Sequence, residues 1–481
     1  MLPEWTVVGF SGHRKLAHPE AAARGIAEAI RRLTADRQPL AAVSSAASGA
    51  DTLFVEAVAK ARWPHLVILP FPKARFQQDF TPADWQRVEP LIDQATHVEV
   101  VAQEESPEQA YMEAGIQVAD KADVMVVVWD GNKSAGLGGT GDVVEYARER
   151  KKPLFIINPE TGNIEEERTG DLPKKFPPKG WDTDPRATVK KHFTDLDAVS
   201  EANAPTSRHL VLRIILFQIV ASAIGLTALT FEDHEKHSLV HPLTTFAELV
   251  LLGIAFVLSL QHRKKHHEWM KSRISAEICR SFLATWDLRR RGEHSPRISV
   301  PGYAGLCRNL RLTRLLDPAP APALETARDV YLKERLQDQL DYFSRKSKEA
   351  LTVQKTLKGI AVFSTATATV LALVALTLLA VRDLALAGVP NAVITIPKYL
   401  SLLLPLASAA IFSLLITQDY SRRAVRYGQM AGMLEEAVRR LKTVRTWNTL
   451  AKIANETEEE LLQEIVEWHS FRQFTGEPHS H

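Results

Sequence analysis

The chain reads ADVMVVVWDG at residues 122–131, and every side chain from Val124 to Trp129 is apolar. An apolar run of this length without alternation is typical of a strand that is covered on both faces, as in parallel sheets. Similar short runs occur along the first 160 residues: Thr6–Phe10, Leu40–Ser45, His65–Phe71, His97–Val101 and Leu154–Asn158. Segments with helical spacing separate them: Pro19–Leu33, Asp51–Arg62, Asp84–Gln94 and Glu108–Lys121. This alternation predicts a parallel α/β sheet.

Long apolar runs follow after residue 208. They are Ile214–Phe231, Leu243–Leu260, Gly359–Val381 and Tyr399–Ile416. Each is close to the roughly 20 residues that a helix needs to cross a bilayer. Buried core helices are the alternative, but the polar or charged flanks favour membrane spans. The predicted fold class is therefore α/β, with a Rossmann-like parallel sheet in the N-terminal domain. An all-α membrane region of two transmembrane hairpins with cytoplasmic helices follows it.

The charges that flank these runs predict their orientation. QHRKKHHEWMKSR follows the second run and QDYSRRAVR follows the fourth, whereas the loop within the first pair is acidic and His-rich (EDHEKHSLVH). Lys and Arg mark the cytoplasmic side, so both hairpin tips are expected outside and both termini in the cytoplasm. Glu248 lies within the second run. It is either a pore or proton-sensitive group, or an interfacial residue near the outer leaflet.

Composition limits the other possibilities. The chain has 481 residues and a net charge of +2, which predicts two or three domains, and without a long basic block no nucleic-acid partner is expected. Two cysteines, Cys279 and Cys307, are too few for a disulfide framework and are expected to be reduced thiols. The N-terminus MLPEWTVVGFSGHRKL lacks the basic and apolar regions of a cleavable signal peptide.

Four segments are expected along the chain. Residues 1–160 form the α/β domain, and the polar, Pro-rich residues 161–207 form a linker or small decoration. Residues 208–325 hold the first hairpin with a cytoplasmic helix, and residues 326–481 hold the second hairpin with C-terminal helices. In the first cytoplasmic helix, Trp269, Arg273, Glu277 and Arg280 lie along one face. The hairpins are either a loose duplication or unrelated, and periodicity does not decide between these.

Gly-containing turns follow three predicted strands, at the carboxyl ends where open α/β sheets bind ligands. Backbone amides there can cradle phosphates and Arg14 can pair with one, whereas Asp51 suits a ribose hydroxyl or the helix N-cap. Each glycine alone is also explained by a tight turn. The predicted ligand-binding residues are Gly9, Ser11, Gly12, His13, Arg14, Ser48, Gly49, Ala50, Asp51, Asp130, Gly138, Gly139, Thr140, Gly141 and Glu145.

Known nucleotide fingerprints do not fit these turns. No Gly-Lys-Ser/Thr follows the glycines at 138–141, so the loop is not a Walker loop. The turn after the first strand is not a regular G-x-G-x-x-G, so a hydride-transfer cofactor is disfavoured. No metal site and no cofactor are predicted.

The segments TVVGFSGHR, AASGADTLFVEA, QVADKADVMVVVWDG and GGTGDVVEYA together resemble the SLOG superfamily over residues 5–158. That superfamily includes the LOG phosphoribohydrolases, the DNA-processing protein A fold and the ligand-binding domain of melastatin-type channels. Residues 330–475 resemble the SLATT group of two-helix membrane modules that occur beside SLOG domains in bacterial conflict systems. The matching residues are Tyr331, Glu334, Arg335, Gln339, Tyr342, Tyr427, Glu464 and Trp468.

The LOG enzymes have a GGxGTxxE loop and an Arg that precedes it. Here Gly138, Gly139, Gly141 and Glu145 match the loop, but Asp142 replaces the Thr. Ala114 occupies the position where the resemblance requires the Arg. Glycosidic cleavage needs the phosphate held and the leaving base protonated as well as a carboxylate. The loop is therefore expected to hold a nucleotide rather than to cut it.

These resemblances imply a ligand-binding membrane effector rather than an enzyme. Its SLOG-like domain would sense a nucleotide-derived signal, cyclic or ADP-ribose-like, and the membrane part would form a pore as a homo-oligomer in the bacterial inner membrane during antiphage defence. The alternative is a membrane-tethered nucleotide phosphoribohydrolase that uses Glu145 as its catalytic carboxylate. A melastatin-like cation channel is disfavoured because a six-span core is missing. A scaffold that has lost its ligand is the remaining alternative.

Overall fold

The computed structural model describes residues 2–36, 39–102, 106–134, 136–174, 183–230, 240–288, 302–317, 322–383, 390–417 and 420–474. It divides into two compact units. The first unit comprises Met1–His192 with Ser299–Pro320, and the second comprises Phe193–Ile298 with Ala321–His481.

The first part of the chain alternates strands with helices, and helices alone follow among the described residues after β7. The strands are β1 (Thr6–Gly12), β2 (Leu40–Ser44), β3 (His65–Leu69), β4 (His97–Val100), β5 (Val124–Val128), β6 (Leu154–Ile157) and β7 (Ile164–Glu167). The first helices are α1 (Pro19–Asp36), α2 (Ala50–Ala61), α3 (Lys73–Phe76), α4 (Pro82–Asp93), α5 (Pro107–Lys121) and α6 (Thr140–Glu149). They are followed by α7 (Pro185–Thr230), α8 (Val240–Ala284), α9 (Ala304–Leu315), α10 (Leu324–Val330), α11 (Asp338–Asp383), α12 (Asn391–Thr417), α13 (Tyr420–Lys442) and α14 (Trp447–Phe474).

The first unit is built on one seven-stranded sheet in the order β4-β3-β2-β1-β5-β6-β7. Every neighbouring pair from β4 to β6 is parallel, and β7 pairs antiparallel with β6. All five residues of β5 are buried, as its unbroken apolar sequence predicts. Alternate β5 side chains enter two different cores, Met125 and Val127 on one face and Val124, Val126 and Val128 on the other.

Local sequence signals explain where two of the covering helices begin. Thr81 precedes α4, and its hydroxyl accepts a hydrogen bond from the backbone N–H of Asp84 at 3.2 Å. Ser106 precedes α5 and forms a capping box with Gln109. These caps satisfy backbone donors and so determine where α4 and α5 begin.

Helix α9 belongs to the first unit, although the sequence analysis grouped residues 208–325 with the first hairpin. The indole N–H of Trp5 donates to the Thr313 hydroxyl at 3.0 Å, and Arg308 pairs with Asp123 at 2.8 Å. Leu312 is buried in the same core as Val7. Residues 161–207, expected to be a linker or decoration, contain β7 and the beginning of α7.

The second unit is entirely helical in its described residues. Within the ranges that the structure describes, four helices are long and apolar enough to cross a membrane, and most of each apolar stretch is uncovered by the rest of the chain. The predicted spans lie within α7, α8, α11 and α12, except that Phe231 lies outside the described residues. The fold class predicted from the sequence is therefore confirmed.

The second hairpin is held together by small residues and hydroxyl groups. The Ser364 hydroxyl on α11 donates to the Leu404 carbonyl on α12 at 2.9 Å. Thr365 donates to Ser408 at 3.0 Å, and Ser408 donates to the Ala361 carbonyl at 3.1 Å. Close backbone approach with interhelical hydrogen bonds is the usual packing mode of transmembrane helices.

Candidate functional site

The strand order of the first unit creates a switch point between β1 and β5. From β1 the chain builds outward through β2, β3 and β4 on one side, and it then returns to place β5 on the other side. In open α/β sheets ligands bind in the crevice at the carboxyl ends of such strands. His13 follows β1 and Asp130 follows β5, and the His13 Nε2 lies 3.2 Å from an Asp130 carboxylate oxygen. The two residues thus mark the opening of the crevice.

The turns after β1 and β2 pack directly against each other. The backbone N–H of Ala50 donates to the His13 carbonyl at 3.0 Å. Gly49 has φ +84°, and a Cβ there would lie 2.3 Å from the Arg14 carbonyl oxygen. A Cβ on Gly12 would lie 2.5 Å from the Ala50 Cβ. Glycine is required at both positions because the two turns approach closely. Their packing alone therefore explains these two glycines, whether or not a ligand binds beside them.

The buried carboxyl of Asp51 is hydrogen-bonded to backbone groups of both turns. Its side chain is 4% exposed, and its carboxyl accepts hydrogen bonds from the backbone N–H groups of Ala47, Gly12 and Ser45. Burial raises the pKa of Asp51 to about 7, against the lowering effect of these donors and of Arg14. The buried position favours an internal anchor over the ribose contact expected from the sequence. Gly49, not Asp51, is the N-cap of α2.

Arg14 is directed across the crevice to a residue that the sequence analysis did not select. Its guanidinium carbon lies 3.8 Å from the centroid of the Tyr111 ring on α5. The Tyr111 hydroxyl donates to Asp79 at 2.6 Å, and Arg75 pairs with Asp79 at 2.8 Å. Burial opposes ionisation of Asp79, but the hydrogen bonds from Arg75 and Tyr111 keep its pKa below the ordinary value. A planar cation over an aromatic ring forms a surface on which a base can stack.

The loop before α6 is closed by its own side chains. The backbone N–H of Gly138 donates to the Asp142 carboxylate at 2.9 Å, and the backbone N–H of Asp142 donates to the Ser134 hydroxyl at 3.0 Å. Gly138 has φ +83°, and a Cβ there would lie 2.8 Å from the Glu108 carbonyl oxygen at the beginning of α5. Two amides that a phosphate would use at this helix N-terminus are therefore engaged.

The structure brings most of the predicted residues to the carboxyl edge of the sheet, with two exceptions. Gly9 lies inside β1, where a Cβ would be 2.3 Å from the Met125 sulfur, so it serves packing and not the crevice. Thr140 is buried at the beginning of α6. Ser11 at the end of β1, Ser48 after β2, and Gly139 and Gly141 at the beginning of α6 are partly exposed.

Glu145 and Ala114 bear on the question of cleavage. Glu145 is exposed one turn into α6, and no residue in the described part of the chain forms a hydrogen bond or ion pair with its carboxylate. Ala114 on α5 is completely buried in the core. An arginine could not occupy the Ala114 position without displacing that core, so the cationic partner suggested by the enzyme resemblance has no counterpart here.

A polar network joins helices of the second unit outside the apolar spans. On α8, Glu277 pairs with Arg273 at 2.6 Å and with Arg280 at 2.9 Å, which confirms that these residues share one face. Asp197 on α7 lies 3.4 Å from Arg280 and 3.6 Å from Arg273. Burial opposes the charge on Arg273, but the neighbouring Glu277 raises its pKa above the ordinary value.

A buried ion pair lies in the region of the second hairpin. Arg335, in a π-helical stretch between α10 and α11, donates two hydrogen bonds to Glu458 on α14 at 2.9 and 2.7 Å. The Tyr331 hydroxyl donates to the same carboxylate at 3.0 Å, and burial raises the pKa of that phenol. Glu458 has no exposed side-chain surface. Tyr331 and Arg335 are two of the residues on which the SLATT resemblance rested.

Comparison with known proteins gives one result for the membrane half. No curated protein matches the chain. Residues 331–468 match the family described as SMODS and SLOG-associating 2TM effector domain 1. This segment contains α11 and α12, the buried Arg335–Glu458 pair and most of α14. The second hairpin with its flanking helices is thus similar to the two-transmembrane effector domains of the SLATT family.

Proposed function

We propose that the chain is a membrane effector whose N-terminal, SLOG-like domain senses a nucleotide-derived signal and whose hairpins then permeabilise the membrane. One observation supports this above the others: a segment similar to SLATT effector domains is fused to an α/β domain whose strand order has a switch point. Open α/β sheets bind ligands in a crevice at such a point. A domain with this crevice is suited to binding a small ligand, and an effector joined to it is suited to responding.

The chemistry of the crevice favours a nucleotide with more than one recognisable part. Arg14 over Tyr111 offers a cationic stacking surface, and His13 lies beside the same turn. Because Asp142 and Ser134 occupy amides at the beginning of α6, a simple 5′-monophosphate has little to bind in that loop. A cyclic nucleotide or an ADP-ribose-like molecule can place its phosphates near Arg14 and its base on the stacking surface.

The chain connectivity supports a coupling between ligand and membrane. The first unit precedes the first hairpin, and α9, which lies in sequence between the two hairpins, is also part of the first unit. A ligand that prefers one state of the first unit would therefore act on both hairpins through the chain. The ligand can shift the equilibrium between the two states only by as much as its affinity differs between them.

The membrane part would act as a homo-oligomer in the bacterial inner membrane, with both termini in the cytoplasm. Four candidate spans in one chain are too few to line a wide pore, so several chains would have to assemble. The SLATT similarity supports a role in a SMODS- or SLOG-associated system, and defence against phage is the role we propose.

The test is calorimetric titration of the full chain in detergent with cyclic nucleotides, ADP-ribose isomers and nucleoside monophosphates, followed by chromatography of the same samples. The full chain is needed because Leu312 of α9 completes the core of the first unit. We expect one ligand to bind and to be recovered intact, with weaker binding to Arg14→Ala and unchanged binding to the neighbouring control Lys15→Ala. Free base with ribose phosphate would instead identify a hydrolase, and Glu145→Gln would then abolish turnover. No binding to the wild type would indicate a scaffold.

A further inference from the structure

A cavity of about 540 Å³ opens among three apolar helices of the second unit. Its wall combines two kinds of side chain. Hydroxyl groups of Ser222, Thr244 and Thr245 and the carboxylate of Glu248 form the polar part, and Leu402 and Leu406 form part of the apolar wall. The volume falls in the range of small-molecule sites, roughly 300–1,000 Å³, and far exceeds the space that one dehydrated ion needs.

Glu248 faces this cavity and the neighbouring helix. On α7, a Cβ added to Gly225 would lie 3.0 Å from one carboxylate oxygen and 3.2 Å from the other. The missing side chain of Gly225 therefore lets the carboxylate approach the α7 backbone. Among the described residues, no hydrogen bond or ion pair engages the Glu248 carboxylate.

Helix α12 is fixed beside the carboxylate by a hydrogen bond. The Thr227 hydroxyl on α7 lies 2.7 Å from the Ala223 carbonyl of the same helix and is hydrogen-bonded to the Tyr399 hydroxyl on α12 at 3.0 Å. This bond ties the beginning of the fourth span to α7 next to the cavity. Two of the three walls, α7 and α12, are thus joined by a hydrogen bond.

A carboxylate inside a membrane segment is costly unless a positive charge or a proton accompanies it. Among the residues that the structure describes, no cationic side chain lines this cavity. Its volume and apolar wall suit an organic molecule better than a bare ion. We propose that the cavity binds a lipophilic organic cation, with the charged group against Glu248 and the apolar body against Leu402 and Leu406. This site is separate from the nucleotide crevice and does not depend on the function proposed above.

The experiment is calorimetric titration of the full chain in detergent with tetraphenylphosphonium. We expect saturable binding that weakens about tenfold or more in Glu248→Gln. The matched control is Glu349→Gln, which removes an exposed carboxylate from α11 and should leave the affinity unchanged. Gly225→Leu, which fills the space beside the carboxylate, should also weaken binding. Melting temperatures of the variants would show that each is folded.

A second arm tests the charge without any substitution. Triphenylphosphine oxide has a similar apolar body and no net charge, and we expect it to bind about tenfold more weakly or worse. Absence of saturable phosphonium binding, equal affinity for the neutral compound, or unchanged binding in Glu248→Gln would each overturn the proposal. So would displacement of the phosphonium by sodium or potassium ions at equal concentration, since the site would then be one for inorganic ions.

Discussion

Arg14 and Tyr111 connect opposite walls of the crevice. The guanidinium carbon lies 3.8 Å from the ring centroid, and the tyrosine hydroxyl donates to Asp79. The turn after β1 is thereby held against α5, a helix that begins more than 90 residues later in the chain. Stacking on Tyr111 fixes the plane of the Arg14 guanidinium. The contact therefore also sets the direction in which Arg14 presents its charge to a ligand.

Tyr111→Leu is expected to weaken nucleotide binding by about five- to tenfold, since a cation–π contact contributes about 1 kcal/mol at a partly exposed site. Tyr111→Phe is the matched control because it keeps the ring under Arg14 and removes only the hydroxyl. We expect it to change the affinity by about twofold or less. Titration with the nucleotide that binds the wild type measures both variants. Equal losses in the two would assign the effect to Asp79 instead of the ring.

Asp51 predicts a pH dependence of stability. Its pKa of about 7 lies above the ordinary value of 3.8, so the folded chain binds a proton that the unfolded chain releases between these values. The stabilisation is complete below about pH 3.8, falls as the pH rises, and is lost above about pH 7. It amounts to roughly 4 kcal/mol at most. Melting temperatures of the wild type should fall between pH 5 and 8 more steeply than those of Asp51→Asn. Parallel curves would contradict this assignment.

Leu312→Ala tests whether α9 is part of the first unit. The leucine is 2% exposed in the core beneath the sheet, so its truncation is expected to cost about 2–5 kcal/mol of unfolding free energy. The matched control is Leu137→Ala in the same unit, where the leucine is 54% exposed and a cost within about 0.5 kcal/mol is expected. Thermal denaturation of both variants in detergent gives the comparison. Similar melting temperatures would mean that α9 does not complete this core.

The sheet and the spans followed from the sequence because their signals are local. Val124–Val128 is apolar at every position, and such a run has few other stable environments than a doubly covered strand or a membrane. β7 was missed because three of its four residues are acidic and only β6 gives them a strand partner. The pairing of β7 with β6 cannot be predicted from the sequence of residues 164–167 alone.

The ligand-binding crevice of the first unit was predicted less completely because several of its residues come together only in the folded chain. The three turns were found from their glycines, but Gly9 was included because the pattern GFSGH does not reveal where the strand ends. Tyr111 and Asp79 were missed because they reach the crevice from helical segments distant in sequence. The role of Asp51 depends on three backbone donors, including those of Gly12 and Ala47, whose directions only the folded turns define.

The Arg335–Glu458 pair is expected to hold the helices of the SLATT-like segment together. Glu458→Ala leaves a buried guanidinium without its counter-charge and should cost about 3–5 kcal/mol. The exposed pair Arg439–Glu436 is the matched control, and Glu436→Ala should cost about 1 kcal/mol or less. The double variant Arg335→Met with Glu458→Leu should recover much of the loss, because no buried charge remains. Melting temperatures that are equal for the two single variants would contradict a structural role for the buried pair.

Opening of the membrane part by a nucleotide is measured by leakage from liposomes. The full chain is reconstituted into dye-loaded liposomes, and the nucleotides named above are added one at a time. We predict dye release with one ligand, little release without it, and loss of the response in Arg14→Ala but not in Lys15→Ala. Release at the same rate without any nucleotide, or an unchanged response in Arg14→Ala, would contradict the account.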